Sequence, residues 1–195
     1  MTELLRFADD VWHRIVAMLV YDGGAPLTLT TGFFIFAFLL FSFGYVAVRH
    51  RAHLRTWYVV LFSLYFYYKL SGLYLLLLLG VAISDFLIGR RVAKARDRGG
   101  KTKWWVTLSV VINIAILAYF KATNFFVGVI NDLYGTGTLD WQSVVVPAGV
   151  SFFVFQSIAY VVDISRGTIA PLRRFSDYLF LLSFFPKMFL GPLVK

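Results

Sequence analysis

The chain has 195 residues, of which 59% are hydrophobic, 19% aromatic and only 15% charged, and its formal net charge is +9. With a mean hydropathy of +0.75 this lies outside the usual range of a water-soluble globular protein and reads as a polytopic membrane protein. The absence of cysteine excludes disulfides, thiolate catalysis and cysteine metal sites, and the excess of Lys and Arg does not indicate nucleic acid, because these residues cluster in short stretches between apolar spans.

The N-terminus does not have the pattern of a cleavable signal, since Glu3, Asp9 and Asp10 surround Arg6 and no long apolar core follows. Leu4, Phe7, Ala8, Val11, Ile15, Met18 and Leu19 instead recur at helical spacing opposite Glu3, Arg6, Asp9, Asp10, His13 and Arg14. That pattern predicts an amphipathic helix lying in the membrane interface over Leu4–Val20. After the turn signal Asp22-Gly-Gly-Ala-Pro26, spans are predicted from about Thr30 to Val48, Leu54 to Lys69, Leu73 to Ile88, Trp104 to Phe120 and Val144 to Val162. The third carries Asp85 and ends in Gly89-Arg90-Arg91. The stretch Lys121 to Ser143 reads as a connection with a short helix through Asn124 to Leu133, and Trp141 as an interfacial anchor. The last stretch, Phe175 to Lys195, is apolar but interrupted by Pro186, Lys187 and Gly191-Pro192, so a broken or re-entrant helix is predicted there.

The expected architecture is therefore all-α, a single membrane domain over 1–195 with about five full spans. The segments 49–55, 90–103 and 166–174 hold three, seven and three Lys or Arg, whereas the intervening connections carry Lys69 and Lys121. By the positive-inside rule these three loops face the cytoplasm, with the N-terminal helix on the outer side of a cytoplasmic membrane.

Polar residues inside apolar spans mark the candidate sites, because an amide, phenol or carboxyl in hydrocarbon needs a partner or water. In the fifth span Gly149, Gln156, Tyr160 and Asp163 share one narrow helical face, at spacings of seven, four and three, while Val150, Val154 and Ile158 point elsewhere. This face is expected to line a protein interior or a wet passage, although interhelical hydrogen bonds would satisfy Gln156 and Tyr160 equally well. Asp163 and Arg166, three apart, have the spacing of an ion pair that would hold the helix end before Gly167. Asp85 either has a partner or cavity inside the membrane, or is a helix-end carboxylate beside Arg90 or Arg91. Lys187 either points into a polar cavity or snorkels to an interface.

The run Pro147-Ala-Gly-Val-Ser-Phe-Phe-Val-Phe-Gln156-Ser-Ile-Ala-Tyr160-Val-Val-Asp163-Ile-Ser-Arg166-Gly167 resembles a signature of the membrane-bound O-acyltransferase family, in its bacterial alginate O-acetyltransferase-like branch. The run Ser183-Phe-Phe-Pro186 to Gly191-Pro192 is similar to a second signature, and Ser63-Leu-Tyr-Phe-Tyr-Tyr68 and Lys121-Ala-Thr-Asn124-Phe-Phe126 match further landmarks in the expected order.

The resemblance implies the N-terminal part of an enzyme that moves an acyl group, acetyl in this branch, from a cytoplasmic thioester donor to a hydroxyl of an envelope polysaccharide. It further implies membrane lipid and an extracytoplasmic acyltransferase as partners, no bound cofactor or metal, and Asp163 and Arg166 near the donor's path. It places the catalytic histidine in a further half beyond these residues. His13, His50 and His53 match no family motif, so no catalytic residue is assigned and this chain alone is expected to be inactive. Two other classes fit the same composition: a transporter or flippase subunit, with Asp85 and the interrupted last helix as its substrate site, and a non-catalytic membrane scaffold.

Overall fold

A computed structural model of the chain describes residues 32–134 and 146–184. The predicted interfacial helix, and Pro186, Lys187 and Gly191-Pro192, lie outside the described residues. Every regular element among those described is helical: α1 (Gly32–Val48), α2 (Ala52–Ser71), a single 3-10 turn (Gly72–Tyr74), α3 (Leu75–Asp97), α4 (Lys103–Tyr134), α5 (Val150–Arg166) and α6 (Phe175–Ser183). The helical stretches His53–Asp97 and Lys103–Leu133 are long and apolar enough to cross a membrane. The chain divides into two compact units, Met1–Leu75 and Leu76–Lys195.

In the first unit α1 and α2 form a helical hairpin. Its turn is closed by the Arg51 N–H donating to the Val48 carbonyl at 3.1 Å. Across it, the Phe41 ring stacks on Tyr58 and Phe62, with centroids 5.1 and 4.2 Å away. The Tyr58 hydroxyl donates to the Phe41 carbonyl at 3.0 Å. An aromatic ring with a polar tip thus closes the hairpin by packing area and by one directed bond.

The second unit is arranged around α3. That helix does not stop at Ile88, as its Gly-Arg-Arg sequence suggested, but continues to Asp97, and the connection to α4 shrinks to residues 98–102. Packing keeps it helical: Gly89, Val92 and Ala93 repeat at the same spacing as Ala82, Asp85 and Phe86, and all six are buried. Much of the predicted 90–103 loop is consequently helix. The predicted break at Lys121 is also absent, because α4 runs unbroken for 32 residues through it. No proline interrupts 103–134, its one glycine, Gly128, stays helical, and a single lysine does not end a helix. Of the described side chains of α4 only Ser109, Asn113 and Phe120 are buried, all on one face.

The fifth predicted span is shifted. It starts at Val150, one residue after Gly149 with φ 69°, and continues to Arg166. A left-handed backbone there suits glycine and forces the chain to turn before the helix begins. Gly149 therefore precedes α5 rather than sharing a face with Gln156.

Candidate functional site

The interior of the second unit encloses several polar groups. Asp85, Ser109, Asn113, Ser157 and Ser183 are all fully buried. Asp85 projects from the middle of α3, where the Ser109 hydroxyl of α4 donates to its Oδ1 at 2.5 Å and the Asn113 side-chain amide donates to its Oδ2 at 2.6 Å. The same amide gives its other hydrogen to the Ser109 carbonyl at 3.0 Å. Ser109 and Asn113 are four apart and so face one way from α4, which is why both reach a single carboxyl group.

Asp85 is thus not a helix-end carboxylate. Arg90 and Arg91 are engaged elsewhere, over the Phe86 ring at 5.8 Å and the Trp105 ring at 4.9 Å. Its partners are neutral donors from the neighbouring helix.

A second polar group joins α5 to α6. The Ser157 and Tyr178 hydroxyls lie 2.6 Å apart, and Tyr178 rests against Tyr160 with ring centroids 4.5 Å apart and against Phe86 at 6.0 Å. The Tyr160 hydroxyl accepts the Leu172 backbone N–H at 3.1 Å, which ties the segment after α5 back to the helix. Gly89 lets α3 approach at this point: a Cβ added there would meet Tyr160 Cε1 at 2.9 Å and Ile164 Cδ1 at 3.1 Å.

The buried side of α5 consists of Val150, Phe153, Val154, Ser157, Tyr160, Val161 and Ile164. Val150 and Val154, predicted to point away from the interior, are at its core, while Gln156 and Asp163 are half-buried along one margin and make no side-chain bond to the described residues. Tyr160 alone of the predicted polar stripe is fully enclosed. The reason is apolar area: Val150, Phe153, Val154, Val161 and Ile164 bury more of it than a face centred on Gln156 and Asp163 would, and the helix rotates to suit them.

The C-terminal end of α5 is held without an Asp163–Arg166 pair. Gly167, at φ 79°, donates to the Ile164 carbonyl at 3.1 Å and Thr168 donates to the Asp163 carbonyl at 3.0 Å, a Schellman closure. Arg96 reaches over from α3 and donates through Nη1 to the Ile164 carbonyl at 2.8 Å, adding a cation where the helix dipole is negative. Arg166 is exposed. Sequence reasoning passed over Ser109, Asn113, Ser157, Tyr178 and Arg96. The signal for the first two was present, as the paired polar positions of an otherwise apolar span four residues apart.

Chemically, the described polar groups brace the helices, and the Ser109 hydroxyl that meets the Asp85 carboxyl is enclosed with it in the packing. His50 is on the exposed connection after α1, its Nε2 accepting from Arg49 Nε at 3.0 Å. No group of three or more His, Cys, Asp or Glu placed to hold a metal occurs among the described residues.

Helices of membrane-spanning length whose apolar core encloses a few hydrogen-bonded polar groups define a helical membrane protein. Within that class the sequence resemblance to membrane-bound O-acyltransferases of the alginate O-acetylase branch holds over most of the chain. It is 28% identical over 172 residues to a protein named probable alginate O-acetylase AlgI in Pseudomonas aeruginosa, and 30% identical over 172 residues to its namesake in Pseudomonas syringae pv. tomato. Each alignment covers 87% of this chain and 33% of the relative. A peptidoglycan O-acetyltransferase of Helicobacter pylori is 29% identical, over 86% of this chain and 37% of that protein. The chain thus spans about a third of the length of the curated relatives it matches. No family model matches it, and no solved structure does.

Proposed function

We propose that these helices form the N-terminal part of a membrane-bound O-acyltransferase that moves an acetyl group from a thioester donor on the cytoplasmic side to a hydroxyl of an envelope polysaccharide. The observation that carries this reading is the similarity, over 87% of the chain, to proteins named for O-acetylation of alginate. The acceptor oxygen would attack the thioester carbonyl carbon, the C–S bond would break, and the hydroxyl proton would pass through a histidine base to the departing thiolate. That histidine is supplied by polypeptide outside these residues.

The role of this chain is to wall the passage in which a reactive thioester is kept from bulk water. Gln156, Asp163 and Arg166 would follow the wall from mid-membrane to the cytoplasmic end of α5, with Tyr160 packed behind them, and Lys187, outside the described residues, is proposed to serve the same passage. Asp85 with Ser109 and Asn113, and Ser157 with Tyr178, hold the helices that form it. Asn113 Oδ1 and Ser183 Oγ are buried without a partner among the described residues. In this reading the chain contributes five spans to the cytoplasmic membrane, its basic segments face inward, and an extracytoplasmic acyltransferase and the polysaccharide meet it on the outer side.

A chimera tests this directly. The matched third of the Pseudomonas aeruginosa relative is replaced by this chain, and alkali-labile acetyl ester on the exported polysaccharide is measured. The chimera is expected to acetylate and the 195-residue chain alone to give none. A chimera that inserts at the normal level but transfers nothing refutes the shared role; turnover by the chain alone refutes the external histidine.

A further inference from the structure

We infer that the outward face of α3 is a binding site for one anionic phospholipid, with acyl chains along its lower half and headgroup phosphate at its basic upper half. At about 100° per residue, Arg90, Arg91 and Lys94 fall within an arc of roughly 100° on α3, Arg98 stands in the turn that directly follows the helix, and all four are exposed. Arg96, on the opposite side, is the one basic residue of α3 that turns inward, onto the Ile164 carbonyl. The only carboxylate of this segment, Asp97, is engaged by Arg96 at 3.2 Å. Three cations therefore share one surface of α3, with a fourth in the turn just beyond it.

The same arc continues down the helix as Leu76, Ile83 and Leu87, exposed by 66%, 50% and 50% of their surface. From Arg91 the helix descends about 12 Å to Ile83, inside the roughly 15 Å of hydrocarbon in one leaflet, and about 22 Å to Leu76, beyond it.

Depth is fixed independently by α4. Asp85 is level with Ser109 and Asn113 through their hydrogen bonds, and Arg91 is level with Trp105 through its ring contact. Trp104 beside it is 70% exposed. Paired tryptophans mark the hydrocarbon boundary. From that level α3 extends about 9 Å farther to Asp97, roughly the thickness of a headgroup layer. At that depth the cations, exposed on the side of α3, are level with lipid phosphates. Juxtamembrane clusters of four or more Lys and Arg attract anionic lipid by this electrostatics.

The test uses the whole chain in nanodiscs of phosphatidylcholine containing a small, equal fraction of either brominated phosphatidylglycerol or brominated phosphatidylcholine, with quenching of tryptophan fluorescence as the readout. Phosphatidylglycerol is expected to associate at least about fivefold more strongly at low salt, with the preference falling toward unity at high salt. The R90Q/R91Q/K94Q/R98Q variant is expected to lose the preference, and the charge-conserving R90K/R91K/R98K variant to keep it. Equal quenching by both lipids in the unaltered chain overturns the site whatever the variants do. Retention of the preference by the glutamine variant, with helical circular dichroism intact, also overturns it. Displacement by millimolar pyrophosphate would assign the cations to a soluble polyanion and overturn it as well.

Discussion

Asp85 shows how one residue organises its surroundings. A carboxyl group buried in apolar packing is costly unless its oxygens are hydrogen-bonded, and two donors from α4 meet that need. Replacing Asn113 by leucine removes one donor and leaves Asp85 Oδ2 short of a partner, which is expected to destabilise the protein by about 1–3 kcal/mol. The measurement is thermal unfolding in detergent, with exposed Val111→Leu as the control. A melting temperature equal to the control's would show that the amide does not hold the two helices together. Asp85 was legible in the sequence as an isolated carboxyl in an apolar span. Its partners were not, because a hydroxyl and an amide on another helix become donors only once the helices are side by side.

At the scale of the element, α3 and α5 meet where a glycine allows it. Gly89→Leu would drive a side chain into Tyr160 and Ile164, at an expected cost of about 1–3 kcal/mol. Gly80, on the same helix, has nothing within 4 Å of an added Cβ, so Gly80→Ala is expected to be neutral or stabilising by up to about 1 kcal/mol. The pair is compared by thermal unfolding; equal effects at the two positions would show that the close approach at Gly89 is not what holds α3 to α5. Apolar content located most helices, but their ends depended on packing. Gly89-Arg90-Arg91 has the composition of a helix end, yet Val92 and Ala93 are buried and carry α3 onward. Similarly, Gln156 and Asp163 defined a polar stripe, but the rotation of α5 followed its larger apolar face.

For the whole molecule, α4 gives the clearest test of membrane placement. Its 32 residues rise about 48 Å, more than the roughly 30 Å of bilayer hydrocarbon. Because the chain has no cysteine, single residues introduced as Lys101→Cys and Asp132→Cys report sidedness without further substitution. In spheroplasts a membrane-impermeant maleimide is expected to label Asp132→Cys, and to label Lys101→Cys only after lysis. Labelling of both from one side would show that α4 does not cross.

Composition pointed to a membrane, and the long apolar runs pointed to helices, since a helix satisfies its backbone within one segment. The ordered motifs determined its resemblance to O-acyltransferases. The tertiary structure alone decided which polar groups are enclosed, that Asp85 is met by Ser109 and Asn113, that Tyr160 holds the segment at Leu172, and that Arg96 turns inward while its basic neighbours turn out. Hydrophobicity is a property of each residue and survives in a linear reading, whereas a hydrogen bond between helices depends on rotation and depth set by many packed neighbours together.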